Sequence, residues 1–234
     1  MTPFDAKLDR LDWTDINAQL DTEGHAVLPA LLDMDTAQDL AQQIATPGMR
    51  RVRLESNGLG RGELFYLEAG MAAALALWRI ALYRRLVPIA NRWNEILGIQ
   101  HCYPAELEVF LQHNRRAGQT RAQSHLSRLG VEDYITLHQC NDGEEVFPMQ
   151  VVAVLSAPGT DFEGGEFVTT ERRPRLQSCP SVLPLALGDM AIIATAARPF
   201  QGTRGAYRVN LKHAISHVRQ GERIGLELSF HDAP

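Results

Sequence analysis

The sequence predicts a mixed α+β fold, an N-terminal helical layer supporting an antiparallel β-sandwich or jelly roll. Three observations predict it. The first hundred residues place apolar side chains at helical spacing. From residue 131 the period shortens to that of strands. The strand-like runs then follow one another with turn residues, and no helices, between them. The chain has 234 residues, 45% hydrophobic and 22% charged, an ordinary globular composition and enough for one large domain. We expect a single unit over 1–234, with 1–130 mainly helical support and 131–234 the jelly-roll core.

In chain order, Asp35-Thr36-Ala37-Gln38 has the form of a capping box, and Leu40 and Ile44 follow at helical spacing. Residues 71–86 are rich in Ala and Leu and free of Gly and Pro, which favours a helix. Pro88 stands where a new helix can start and Gly98 where one can stop. Trp93, Ile96 and Leu97 supply an apolar stripe for a core. Strands are expected over 133–138, 149–156, 165–170, 190–195, 206–211 and 224–230. The turns between them are Asn141-Asp142-Gly143, Ala157-Pro158-Gly159, Gly164-Gly165, Gly188-Asp189 and Gln220-Gly221. Asp189 reads as a cap of its turn, and Phe162 with Gly164-Gly165 as the shape of a strand entry.

Charge and cysteine content narrow the function classes. With 28 acidic against 23 basic residues the net charge is −5, which argues against diffuse nucleic-acid affinity and leaves a local basic groove open. Basic residues cluster at Arg115, Arg116, Arg121 and Arg128, and at Arg172, Arg173 and Arg175. They read as a locally paired surface or as the rim of a site for an anionic substrate. Cys102, Cys140 and Cys179 are too few for a disulfide framework, and the odd count fits a reducing compartment. The polar, acidic N-terminus is unlike a signal peptide, and the most apolar stretch, 71–78, is too short to span a bilayer. A cytoplasmic protein with no membrane partner is expected.

Among eight histidines, two stand in an informative context. His138 ends a strand, and residues two apart on a strand face one side, so His138 and Cys140 can point at one ion. Asp142 continues that parity into the turn. His213 ends a later strand, and Arg223 follows ten positions on, at the start of the last strand. Non-haem Fe(II) that activates dioxygen needs ligands on one face only, typically two histidines and a carboxylate. A chelating 2-oxo acid then needs a cation for its far carboxylate, and arginine offers a bidentate fork.

The chain resembles the bacterial 2-oxoglutarate/Fe(II) dioxygenases. More closely, it is similar to a subgroup of oxygenases catalogued for oxidative repair of methylated nucleic acid. The matching segments include Asn57–Glu63, Pro88–Asn94, Ala117-Gly-Gln-Thr-Arg121, Leu137-His-Gln139, Pro158–Val168, Arg173–Ser178, Arg198–Gly205, Tyr207–Leu211 and Phe230-His-Asp-Ala233. The resemblance implies a double-stranded β-helix, a jelly-roll or cupin-like fold. It implies Fe(II) as cofactor and 2-oxoglutarate as cosubstrate, with an unknown substrate oxidised by ferryl hydrogen abstraction. Carried over, His138 and His213 would ligate iron and Arg223 would clamp the cosubstrate. Tyr134, four before His138, is assigned to cosubstrate or substrate. His231-Asp232 is given packing or capping.

The chain departs from the family pattern at three places. His138-Gln-Cys-Asn-Asp-Gly143 stands for His-Gln-Asp-x-Tyr-Gly, Ala196-Ala197 for one or two histidines, and Ala122–Leu126 for an apolar run. Four readings of position 140 therefore stay open: a Cys140 thiolate ligand, Asp142 supplying the carboxylate, a two-histidine iron with water or halide, or no iron. The last makes the alternative function a catalytically silent jelly-roll protein that binds a small molecule or a partner.

Overall fold

The computed structural model describes residues 3–46, 49–67, 71–173, 177–203 and 205–234. Arg175 and Arg204 of the segments named above lie outside the described residues. The N-terminal part contains α1 (Pro3–Asp9), α2 (Trp13–Glu23), β1 (His25–Leu28), α3 (Met34–Gln42), β2 (Arg50–Arg53), β3 (Gly60–Arg61) and β4 (Glu63–Tyr66). Two further helices, α4 (Ala73–Ile96) and α5 (Leu107–Arg116), precede β5 (His125–Leu129) and β6 (Tyr134–His138). The remainder is β7 (Met149–Val154), β8 (Phe162–Gly164), β9 (Phe167–Arg172), β10 (Cys179–Leu183), β11 (Met190–Ala194), β12 (Ala197–Gly202), β13 (Gly205–Ile215), β14 (Val218–Gly221) and β15 (Arg223–Leu228). The stretch read as helical support thus also contributes β1 to β5.

Two antiparallel sheets face each other. One has seven strands in the order β1-β11-β7-β15-β5-β4-β2; the other runs β10-β9-β13-β6-β3, with β12 folded against β13. Strand alternation sorts the residues of the large sheet between two cores. On β7, Met149, Val151 and Ala153 pack under the helices, whereas Val152 and Val154 face the second sheet. On β11, Met190 and Ile192 face the helices and Ala191 and Ile193 the other sheet. Both strands are buried on both faces, which is why their sequences read as unbroken apolar runs.

The helical layer is anchored by α4, whose Leu75, Leu82, Tyr83, Leu86, Ile89 and Trp93 join the core beneath the large sheet. This helix passes through Pro88, where a new start was expected. The missing N–H removes one intrahelical bond, and the buried apolar residues on both sides of Pro88 outweigh that loss. Gly98 adopts φ +68° just beyond, ending the helix as its sequence suggests. Helix α3 is capped two residues earlier than the apparent capping box, because Asp33 Oδ1 accepts the Thr36 N–H at 2.9 Å. Asp189 holds its turn, accepting from Ala186 N at 2.9 Å and from Ala30 N at 2.8 Å. Arg198 is fully buried, pairs with Glu171 and donates to the Thr22 carbonyl at 2.6 Å, tying α2 to the second sheet.

Candidate metal centre

The interior between the sheets carries a cluster of polar side chains among apolar ones. His138 ends β6 and is the register partner of His213 on β13, and their ring centroids are 4.2 Å apart. Cys140 follows in the chain beyond β6, its N–H bonded to the Thr195 carbonyl at 3.3 Å. Glu227 enters from β15 in the opposite sheet. One ligand atom each of His138, Cys140, His213 and Glu227 lies within 4.8 Å of every other.

The chain orients these groups. His138 Nδ1 lies 2.9 Å from the Thr136 carbonyl. A protonated Nδ1 donating there leaves the Nε2 lone pair for the cluster. His213 is stacked 5.7 Å from the Phe167 ring at an interplanar angle of 7°, with its Nε2 3.8 Å from Cys140 Sγ and 3.8 Å from Glu227 Oε2. Gln150, a lone amide on the otherwise apolar strand β7, donates to Glu227 Oε2 at 3.1 Å. His125 Nε2 lies 3.8 Å from Glu227 Oε1. Burial and the neighbouring His213 hold the His138 imidazole down at about 4, so it is neutral at pH 7. Burial, reinforced by Glu227, pushes the Cys140 thiol well up. Burial opposes ionisation of Glu227, but the imidazoles of His125, His213 and His138 outweigh it and hold the carboxyl well below the usual range.

Arg223 shares the inward face of β15 with Glu227, four residues away. It is 2% exposed, and its Nε and Nη1 are buried without a hydrogen-bond partner among the described residues. Its guanidinium stands 6.0 Å from the Phe162 ring centroid. Burial lowers it to about 10, with Glu227 partly offsetting the shift, so it remains a cation at pH 7. Between the two charged residues lies Gly225. A Cβ there would meet Arg223 Nη1 at 2.7 Å and Ser127 Oγ at 2.9 Å. The face from Arg223 to Glu227 is therefore a polar cradle in which Arg223 Nη1 and Ser127 Oγ pack over the bare backbone of a glycine.

Two expected residues lie elsewhere. Tyr134 is off the face of His138 because β6 carries an irregularity. His213 pairs with His138 while Ile215 pairs with Ile135, so between these pairs two residues of β6 oppose one of β13. This bulge reverses the parity, and Ile135 and His138 line one cavity while Tyr134 stacks on His217 at 4.3 Å. Asp142 is exposed at the rim of that cavity and is outside the cluster. Its loop is pinned by Gln119, whose Oε1 accepts from Glu144 N at 2.9 Å and Glu145 N at 2.7 Å. Its Nε2 donates to the Asp232 carbonyl at 2.5 Å. Glu227 and Gln150 were not singled out from sequence. Each is a polar residue inside an apolar strand, which is the signal that marks them.

The metal face opens into a cavity of about 460 Å³ whose lining includes Arg50, Tyr66, Arg121, Gln123 and Gln139. Arg223 lines a second space of about 440 Å³, with Phe162 and Phe167. Of the clustered arginines, Arg115 pairs with Glu108, Arg128 with Glu63 and Arg173 with Glu171, whereas Arg121 reaches the cavity. No helix among the described residues is long and apolar enough to cross a membrane.

Solved structures of low sequence identity share this fold. A prolyl-4-hydroxylase from Pseudomonas putida superposes with a TM-score of 0.58 at 12% identity, over 95% of this chain and 100% of that one. An oxidoreductase of the 2OG-Fe(II) oxygenase family from Burkholderia pseudomallei gives 0.55 at 17% identity, over 96% and 93%. A prolyl hydroxylase from Trichoplax adhaerens, in complex with a peptide fragment of the hypoxia inducible factor oxygen degradation domain, gives 0.59 at 12%, over 99% and 94%. Uncharacterised proteins from two strains of Mycobacterium tuberculosis, CDC 1551 / Oshkosh and ATCC 25618 / H37Rv, are each 42% identical over 153 residues. That alignment spans 65% of this chain and 66% of the length of those relatives. Residues 62–233 match the model of a family described as "Oxygenase, catalysing oxidative methylation of damaged DNA", and the chain, built on the jelly roll of the 2OG-Fe(II) oxygenases, belongs to that Oxygenase-NA family.

Proposed function

We propose that this protein is a 2-oxoglutarate- and Fe(II)-dependent oxygenase. The observation that carries this reading is the convergence of His138 and His213 inside the jelly roll, with an unpartnered buried guanidinium, Arg223, on the strand beside them. The donor chemistry fits iron. Two imidazoles with accessible nitrogen lone pairs meet a buried anionic oxygen donor, a hard–borderline set suited to Fe(II). The cradle fits the cosubstrate. A buried guanidinium needs an anion, and Arg223 lines a space of about 440 Å³ in which one can sit.

In this reading the cofactor and cosubstrate supply the oxidation, and the chain supplies position and environment. His138 and His213 hold the metal, with His138 oriented by the Thr136 carbonyl. Arg223 fixes the far carboxylate of 2-oxoglutarate. The apolar residues around Phe167 and Val152 keep water from the face where it binds. The polar lining of the cavity beside the cluster, which includes Arg50 and Arg121, suits a polar or anionic substrate, and the family description directs attention to a methylated nucleobase in DNA.

The test is anaerobic addition of Fe(II) and 2-oxoglutarate, followed by admission of air with and without a methylated DNA oligonucleotide. A weak visible charge-transfer band and conversion of 2-oxoglutarate to succinate, stimulated by the oligonucleotide, are expected. Protein that ignores both additions refutes the oxygenase reading and favours a silent binding protein. Succinate formation that the oligonucleotide leaves unchanged refutes only the substrate.

A further inference from the structure

We infer that the carboxylate ligand of the metal has moved from the strand of His138 to the last strand, where Glu227 supplies it. The inference rests on the reading of the site as a metal centre and adds the identity of its third donor. Position 140, two beyond His138, carries a thiol. From the facing strand, Glu227 projects a carboxylate into the same point, within 4.8 Å of the ligand atoms of His138 and His213.

Three observations favour Glu227 as a ligand over a structural acid. It is 6% exposed, and among the described residues no lysine or arginine nitrogen forms a salt bridge with it. Its ion-pair neighbours are His125 and His213, each at 3.8 Å, too far for a hydrogen bond. Its short hydrogen bond comes from the Gln150 amide, a neutral donor. A buried carboxylate whose nearest ion-pair partners stand off at 3.8 Å is only partly compensated, and a divalent ion at the shared point would complete the compensation. Next, the carboxylate already has the outer partner that a ligating carboxylate commonly shows, in Gln150. Finally, β15 places Glu227, Gly225 and Arg223 on one inward face, so one strand carries both the metal's oxygen donor and the cosubstrate cation.

The arrangement also accounts for the tolerance of a thiol at position 140. With the oxygen donor coming from β15, the site keeps two imidazoles and a carboxylate on one face, and Cys140 lies beside the ion as a neutral neighbour.

The test is titration of the full chain with Co(II) and with Mn(II), read by calorimetry and by the visible spectrum of the cobalt form. The proteins are wild type, Glu227→Gln, Cys140→Ala, His213→Ala and the double variant Cys140→Asp, Glu227→Gln. Glu227→Gln is expected to weaken binding by more than the roughly 10–100-fold that loss of an outer partner costs. Cys140→Ala should bind as wild type does, and the cobalt spectrum should lack a thiolate charge-transfer band. The double variant should recover affinity, because it returns a carboxylate to the strand of His138; that recovery also excludes misfolding as the cause of the Glu227→Gln loss. A thiolate band abolished by Cys140→Ala, or Glu227→Gln binding as tightly as wild type while His213→Ala does not, overturns the assignment and leaves the metal centre standing. Wild type that binds neither ion overturns the metal centre itself.

Discussion

Single side chains decide what this interior can hold. Arg223 and Glu227 are both charged and buried, and each alone would be strongly destabilising without a partner. Gly225 is what lets the Arg223 guanidinium pack against the strand between them. Replacing it by Val puts a branched side chain where a Cβ already falls 2.7 Å from Arg223 Nη1. The guanidinium must then move out of the cradle. Overpacking of this kind costs about 1–3 kcal/mol. We expect Gly225→Val to weaken 2-oxoglutarate binding by about tenfold or more, while Mn(II) affinity stays near wild type. Calorimetric titration of 2-oxoglutarate into the Mn(II) form checks it, and unchanged affinity would show that the cosubstrate does not occupy this cradle.

At the scale of elements, irregularities matter more than the regular strands. The bulge in β6 sends Tyr134 to His217 and brings Ile135 to the cavity. The loop after Cys140 is held by the buried amide of Gln119, with Gly143 at φ +121° passing so close that a Cβ would overlap that amide at 2.4 Å. Gln119→Leu keeps the volume but leaves the N–H groups of Glu144 and Glu145 and two carbonyls without their partner. Each buried group left unpaired costs about 1–3 kcal/mol. A loss of about 3 kcal/mol in urea unfolding is expected, and a change below about 1 kcal/mol would mean that water replaces the amide.

The whole molecule couples the helical layer, the sheets and the C-terminal segment, and His231 reports on that coupling. It is fully buried, with Nδ1 3.4 Å from the Phe147 N–H. Burial, with Arg79 nearby, lowers it to about 4 from 6.5. Between those values the unfolded chain binds a proton that the native histidine refuses. Stability is therefore level above about pH 6.5 and falls as the pH drops toward 4, by at most about 3 kcal/mol for this group. His231→Gln should flatten part of that slope in denaturation curves between pH 4.5 and 7.5, and an unaltered slope would place the proton uptake elsewhere. Much of the architecture was legible in the chain, because short-range patterns encode it: short apolar runs bounded by turn residues for β7 and β11, and Ala- and Leu-rich helical propensity for α4. Order and spacing along the chain singled out His138, His213 and Arg223 as candidates, and the pairing of β6 with β13 brings the two histidines together. The path of α4 through Pro88 was not legible, since tertiary burial there overrides a local breaker. Nor was the place of Tyr134, because a bulge changes parity without leaving a mark in composition. Most of all, the meeting of Glu227 with His138 is a contact across two sheets between residues far apart in sequence. No local rule carries that contact, and packing the sheets face to face is what creates it.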